Sequence, residues 1–165
     1  MTPKEKSEVI IEALPYIRKY NNKVVVIKFG GNVITQTEQV IDDIVLLKHI
    51  GIKPVVVHGG GPELTAELKK SKITPKFIKG LRYTDKKIID VAEKVFNKIN
   101  NQIVEKITKQ GAKSANANGN IEVKQKNPGL GLVGEITEIN KNKLMEIIDS
   151  GVIPVISPLG KGNGK

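Results

Sequence analysis

Two β-branched runs that each end in a glycine cluster constrain this chain more than any other feature. Val24-Val25-Val26-Ile27 leads into Gly30-Gly31, and Pro54-Val55-Val56-Val57 leads into Gly59-Gly60-Gly61. Val152-Ile153-Pro154-Val155-Ile156 is a third run of the same kind. Continuous apolar strands of about five residues, without alternation, predict a sheet buried on both faces, and hence parallel strands covered by helices. The intervening segments supply those helices. Residues 37–50 carry Val40, Ile41, Ile44, Val45 and Leu47 at helical spacing. Residues 84–110 carry Ile88, Val91, Ala92, Val95, Phe96, Ile99, Ile103 and Ile107 on one stripe, with Thr84-Asp85 as a start signal. Strand and helix in alternation predict an α/β fold, a three-layer αβα sandwich around a mainly parallel central sheet.

Three segments fall outside that rhythm. Thr2-Pro3-Lys4-Glu5 has the residue types of a capping box with proline at the first helical position, and Val9, Ile10, Ala13, Leu14 and Ile17 follow on one face. Pro15 is expected to kink that helix or split it in two. The helix either packs on its own domain or forms an apolar arm for another subunit. In residues 111–131, turn chemistry at Asn116–Asn120 and Pro128–Gly131 separates two alternating stretches, Ile121–Lys124 and Leu132–Ile136. These predict an antiparallel β-hairpin flap at the edge of the main sheet. The tail from Gly160 to Lys165 reads as a flexible loop with no closing strand or helix, as in a chain cut mid-fold.

Composition removes several function classes. No run of about 18 apolar residues is present, so no membrane span is expected. The 165 residues include no cysteine, which excludes a disulfide framework and thiolate metal sites and fits a cytoplasmic location. The formal charge of +10 would attract polyanions, but only Arg18 and Arg82 among the 27 basic residues are arginines. Arginine is the preferred reader of bases and phosphates, and aromatics make up only 4% of the chain. A solvated lysine-rich surface is therefore expected, with no nucleic-acid partner.

The chemistry-bearing residues cluster at the strand ends. Lys28-Phe29-Gly30-Gly31-Asn32 places an ammonium beside glycines whose amides can cradle phosphate oxygens. His58-Gly59-Gly60-Gly61-Pro62 runs from a strand through a glycine turn into a helix N-terminus, an anion-binding arrangement. In a parallel sheet both loops lie on the carboxyl edge, where ligands bind. Neither loop has the spacing of a Walker A or dinucleotide fingerprint. Together they read as a phosphate or carboxylate site, against the alternative of two tight turns. Arg82, just before a helix, either grips a carboxylate through two parallel hydrogen bonds or is an ordinary surface arginine. His58 reads as a packed structural histidine ahead of a catalytic one. No carboxylate pair or metal-ligand cluster stands out, so no metal site on the protein is expected.

In order and spacing, these strings resemble the acetylglutamate kinases. The match runs through Glu12-Ala13-Leu14-Pro15-Tyr16-Ile17, Val26–Asn32, Pro54–Pro62, Gly80-Leu81-Arg82-Tyr83-Thr84-Asp85, Leu132-Val133-Gly134-Glu135 and Ile153–Pro158. The Lys-x-Gly-Gly strand end is shared by wider amino-acid kinases, and the Val-His-Gly-Gly-Gly-Pro and Gly-x-Arg-x-Thr pair narrows the match. The resemblance implies the amino-acid kinase fold and ATP-dependent phosphorylation of the γ-carboxylate of N-acetyl-L-glutamate in arginine biosynthesis, with Mg²⁺ bound through ATP. It makes Lys28 the catalytic residue that stabilises charge on the transferring group. It assigns Gly60, Gly61 and Arg82 to the substrate, with Arg82 on its α-carboxylate. Gly30, Gly31, Asn32 and Gly59 fall on the phosphate side. A homodimer is implied, extended to a hexamer through the N-terminal helix in the longer members.

Two departures bear on that resemblance. Residues 111–119 lack the family's Gly-Leu-Ser-Gly-Lys-Asp-Gly segment. The family's Asn-x-Asn-Ala-Asp segment, second catalytic lysine and nucleotide-binding half would follow Lys165. The expected organisation is thus an N-terminal arm at 1–22 and an acetylglutamate-binding lobe at 23–165, with the C-terminal nucleotide-binding lobe missing. Two alternatives stand beside the kinase: a non-catalytic substrate-binding or oligomerisation module, and a related kinase acting on N-acetyl-aminoadipate.

Overall fold

The structure is a computed structural model that describes residues 1–30 and 37–162. Strands β1 (Val24–Phe29), β2 (Lys53–His58), β5 (Ser114–Asn116) and β8 (Ile153–Ile156) form one sheet in the order β1-β2-β8-β5. Every neighbouring pair in it is parallel. Parallel pairing requires a crossover, and helix α2 (Thr37–His49) supplies the one between β1 and β2. Helices α3 (Gly61–Lys70) and α4 (Lys86–Lys109) share the same face of the sheet as α2. Ile41 and Ile44 of α2, Leu64 and Leu68 of α3, and Ile88, Phe96 and Ile103 of α4 bury against Phe29, Val56 and Val155. Successive strand residues point to opposite faces, so Val55 and Ile156 meet Ile148 of α5 (Lys141–Asp149) on the other side. The expected three layers are present.

The start of α4 follows the sequence signal. Asp85 is its N-cap, and its carboxylate accepts from the Ile88 amide at 2.9 Å. Of the stripe predicted along this helix, Ile88, Ala92, Phe96, Ile99, Ile103 and Ile107 are buried and Val91 and Val95 are half-buried, and the buried face also takes in Asn100. Strands β2 and β8 are covered on both faces as expected, but β1 is not. Val24 and Val26 are 43% and 64% exposed while Phe29 is buried. α5 packs on β8, and no described element covers that face of β1. A continuous apolar run says that a strand can be covered twice, and the edge position decides whether it is.

Helix α1 (Pro3–Tyr20) begins with the predicted capping box: Thr2 accepts from the Glu5 amide and its own amide donates to the Glu5 carboxylate at 2.7 Å. Pro15 does not split it; the helix is continuous through Tyr20. Proline removes one helical hydrogen bond, and in an exposed helix water can take the freed carbonyl. No residue of α1 is buried, so the reading of a helix packed on its own domain is not what the structure shows.

The predicted hairpin is present as β6 (Ile121–Gln125) and β7 (Gly134–Ile139), antiparallel, with a register irregularity at Glu122/Val123. It forms a separate sheet instead of extending the main one. The segment expected to end in a loop contributes to it, because β9 (Lys161–Gly162) pairs in parallel with β6. Glycines permit that approach: a Cβ on Gly134 or Gly160 would collide with the Val123 side chain. Among the described residues, no helix is long and apolar enough to cross a membrane.

Candidate functional site

The register of β1 and β2 decides where the two glycine corners lie. Phe29 is paired with His58, and the Gly59 amide donates to the Phe29 carbonyl at 2.9 Å. Both corners therefore leave the sheet side by side on its carboxyl edge. Lys28 is exposed in the last residues of β1, across from Val57. A Cβ built on Gly30 would meet nothing within 4 Å, so this corner is open. Gly31 and Asn32 lie outside the described residues. The Gly59 amide is engaged in joining the strands, which leaves the next amides of the turn to face a ligand.

Those amides open α3. Its N-cap is Gly60, which offers no side chain to the first turn, and Pro62 lies in that turn without an amide hydrogen. The positive end of the helix dipole is thus presented at the sheet edge. The two glycines here differ in what they permit. A Cβ on Gly60 would sit 2.8 Å from Phe96 and Ile99 of α4, so glycine is required for the turn to lie on the core. A Cβ on Gly61 would meet nothing within 4 Å. Gly61 faces open space.

Arg82 reaches this corner from a hairpin not foreseen in the sequence. Strands β3 (Phe77–Ile78) and β4 (Leu81–Arg82) pair antiparallel, and Lys79 and Gly80 between them both have positive φ, 47° and 79°. That is the backbone of a two-residue hairpin turn of type I′. Arg82 Nη2 donates to Thr65 Oγ1 at 2.7 Å and to the Gly61 carbonyl at 3.3 Å. The guanidinium stacks over Phe77 at 4.8 Å. Thr65 Oγ1 in turn donates to the Gly61 carbonyl at 2.8 Å. Arg82 Nη1 is buried and has no hydrogen-bond partner among the described residues. Desolvation by burial draws the Arg82 pKa down from its ordinary value, although a guanidinium remains a cation. One nitrogen of the fork is thus anchored and the other is buried without a partner among the described residues.

The chain after Arg82 is clamped by the turn before β7. The Thr84 amide donates to the Leu130 carbonyl at 3.1 Å, and the Leu132 amide donates to the Thr84 carbonyl at 2.6 Å. Gly131, with φ +67°, lies against Thr84, and a Cβ there would collide with the Thr84 carbonyl. The segment that departs from the acetylglutamate kinase pattern also has a structural duty. Asn118 Oδ1 accepts from the Ser157 amide at 2.8 Å and its Nδ2 donates to Asn97 at 3.2 Å, tying the ends of β5 and β8 to α4.

Residues 23–165 match the amino acid kinase family. The chain belongs to the amino acid kinase family. The acetylglutamate kinase of Alkaliphilus metalliredigens is 45% identical over 170 residues, covering 98% of this chain and 54% of that protein. The acetylglutamate kinase of Carboxydothermus hydrogenoformans is 45% identical over 181 residues, covering 98% of this chain and 62% of that protein. The chain thus spans between 54% and 62% of the length of these two relatives. In fold it is similar to the N-acetylglutamate synthase of Neisseria gonorrhoeae solved with coenzyme A and N-acetyl-glutamate. The TM-score is 0.84 at 22% identity, over 94% of this chain and 38% of that one.

In this amino acid kinase domain the sheet edge brings the Gly30 corner beside the α3 N-terminus, where Arg82 is bonded to the Gly61 carbonyl, and Lys28 stands exposed at the end of β1 on the face opposite Phe29. Among the described residues no group of three or more His, Asp or Glu could hold a metal. Several residues that shape the site were not singled out from the sequence. Thr65 and Phe77 hold Arg82, and Asn100 of α4 donates to His58 Nε2 at 3.3 Å and to the Val155 carbonyl at 3.0 Å. Asn100 carried a signal, because it lies next to Ile99 on the apolar side of the α4 stripe. A fully buried amide there needs partners across the core: its nitrogen has two, and its oxygen has none among the described residues.

Proposed function

We propose that this chain forms the acetylglutamate-binding lobe of an acetylglutamate kinase, which phosphorylates the γ-carboxylate of N-acetyl-L-glutamate with ATP. The observation that carries the reading is Arg82: a guanidinium fixed beside the α3 N-terminus by Thr65 and Gly61, with Nη1 buried and unpartnered among the described residues. A carboxylate at this corner would meet the guanidinium charge and the open helix N-terminus at Gly61 together, and a small shift of the side chain would give the buried Nη1 the partner it lacks. The named relatives support the choice of substrate.

In this reading Arg82 holds the α-carboxylate, and Gly60 and Gly61 offer amides to the substrate and to the phosphoryl oxygens. Lys28, exposed at the end of β1, neutralises charge that builds on the transferring group. Gly30, Gly31, Asn32 and Gly59 border the phosphates. The donor set at this edge is cationic and amide-rich, which fits phosphate oxygens. Mg²⁺ would accompany ATP and neutralise its phosphates. Phosphoryl transfer to a carboxylate needs no strong base; it depends on positioning and charge stabilisation, which this set supplies.

The test has two arms. Titration calorimetry of N-acetyl-L-glutamate into the purified chain should show saturable binding, with N-acetyl-aminoadipate competing weakly. Co-expression with the unmatched C-terminal part of the Alkaliphilus kinase should give ATP-dependent phosphorylation that Lys28→Ala abolishes. Absence of both binding and complemented activity would remove the reading.

A further inference from the structure

We infer that His58 and Asn100 are positioning residues: together they orient the Gly59–Gly60 peptide so that its amide hydrogen faces the substrate. The inference deepens the acetylglutamate-binding reading above and rests on it for the identity of the ligand.

His58 closes β2 and is only 1% exposed, and Asn100 on α4 is fully buried beside it. The Asn100 side-chain amide donates at 3.0 Å to the Val155 carbonyl, which fixes Nδ2 as the donor end. The same Nδ2 lies 3.3 Å from His58 Nε2, which must then be the accepting nitrogen. A neutral imidazole that accepts at Nε2 carries its proton at Nδ1. His58 Nδ1 is 2.7 Å from the Gly59 carbonyl, so the ring donates to that oxygen. In a trans peptide the carbonyl and the following amide hydrogen point in opposite directions. No peptide bond among the described residues is cis. Drawing the Gly59 oxygen to the ring therefore turns the Gly60 hydrogen away from it, at the turn where Arg82 and the α3 N-terminus converge.

Glycine geometry makes this orientation something to be imposed. Gly59 and Gly60 lack a Cβ, and a peptide between two glycines is free to turn over in a loop. A peptide flip would present the Gly59 carbonyl to the ligand, an acceptor where a carboxylate or phosphoryl oxygen needs a donor. The tautomer of His58 thus selects the sign of the dipole at the site. The ring touches no ligand itself. Desolvation by burial lowers the His58 pKa, which favours the neutral ring.

Two measurements test the inference, one without ligand. In ¹⁵N-labelled protein near neutral pH, the histidine side-chain spectrum should show His58 as the Nδ1-protonated tautomer. An Nε2-protonated ring would overturn the inference whether or not acetylglutamate binds. The second is calorimetry with N-acetyl-L-glutamate on His58→Gln and His58→Asn, both checked for folding by thermal melts. Glutamine reproduces the Nε2 end and leaves the Gly59 carbonyl without its donor, so affinity should fall at least about tenfold. Asparagine reproduces the Nδ1 end and should recover most of that loss, although it leaves Asn100 short of a partner. Equal affinity in the glutamine variant and the unmodified chain would overturn the inference while leaving the substrate assignment intact. No binding by the unmodified chain would strike the substrate assignment, and the tautomer measurement would still decide the orientation.

Discussion

Arg82 divides its guanidinium: one nitrogen is held by Thr65 and the Gly61 carbonyl, and the other is unengaged among the described residues. A lysine on the same backbone could fill only one of these roles, because an ammonium has no second, rigidly placed edge. Arg82→Lys should therefore weaken acetylglutamate binding by about tenfold to a hundredfold, the scale of a lost hydrogen bond between charged groups. The thermal midpoint should barely move, since the residue is anchored by exposed and half-buried contacts. Calorimetry and a melt read the two effects separately, and unchanged affinity would remove Arg82 from the substrate site. Arg82 drew notice in the sequence because one arginine stood before a helix in a lysine-rich chain, with an ordinary surface arginine as the alternative. Its route to the site was not legible. β3 and β4 are two residues each, too short for any periodicity, and Lys79 replaces the Asn or Asp that commonly opens such a turn.

Helices and loops show the same division between local and distant causes. The α4 stripe was legible because helical spacing is written in neighbouring residues, and its cap at Asp85 follows from one side chain and one amide. β9 was not legible, because Lys161 and Gly162 become a strand only by pairing with β6. The adjoining glycines Gly60 and Gly61 look alike in sequence and are separated only by what lies opposite. Gly60→Ala should cost about 1–3 kcal/mol, since its methyl would press on Phe96 and Ile99 at 2.8 Å in a packed core. Gly61→Ala should change stability by less than about 0.5 kcal/mol, because its methyl enters open space, yet it should weaken ligand binding. Urea denaturation of both variants checks the contrast, and equal costs would contradict the packing described for this turn. Pro15 offers a test on an element that has no buried residue. Pro15→Ala restores a hydrogen bond inside α1 and relieves a penalty of about 3 kcal/mol within that helix. No α1 residue is buried, so the gain should stay local. Circular dichroism should show more helix while the cooperative melting midpoint of the domain stays where it was.

Taken whole, the molecule places its polar machinery where the two sides of the sheet meet one edge, and His58 connects that edge to the core. Its ring touches the Gly59 carbonyl on one side and Asn100 on the other, against the packed face of α4. The strand run announced a buried β2, and burial at its last residue follows; the partner across the core could not be read from β2 alone. The consequence extends to the stability of the entire fold. Desolvation pushes the His58 pKa below its ordinary value near 6.5, while the bond to Gly59 and the charge of Glu63 pull the other way without reversing it. An unfolded chain therefore takes up its proton first as the pH falls from about 6.5. Between that point and the lower folded value, the unfolded state holds more protons than the native state, so acidification favours unfolding. Above the unfolded value the contribution is fully present. The urea midpoint should accordingly drop between pH 7.5 and pH 5.5. In His58→Asn, which cannot titrate, that part of the drop should vanish even though the variant starts from a lower midpoint. His49 is exposed on α2 and remains in both proteins, so the difference between the two pH profiles isolates the buried ring. Parallel profiles would mean that His58 is protonated as readily in the fold as out of it, and the neutral ring that holds the Gly59 carbonyl would have to be abandoned.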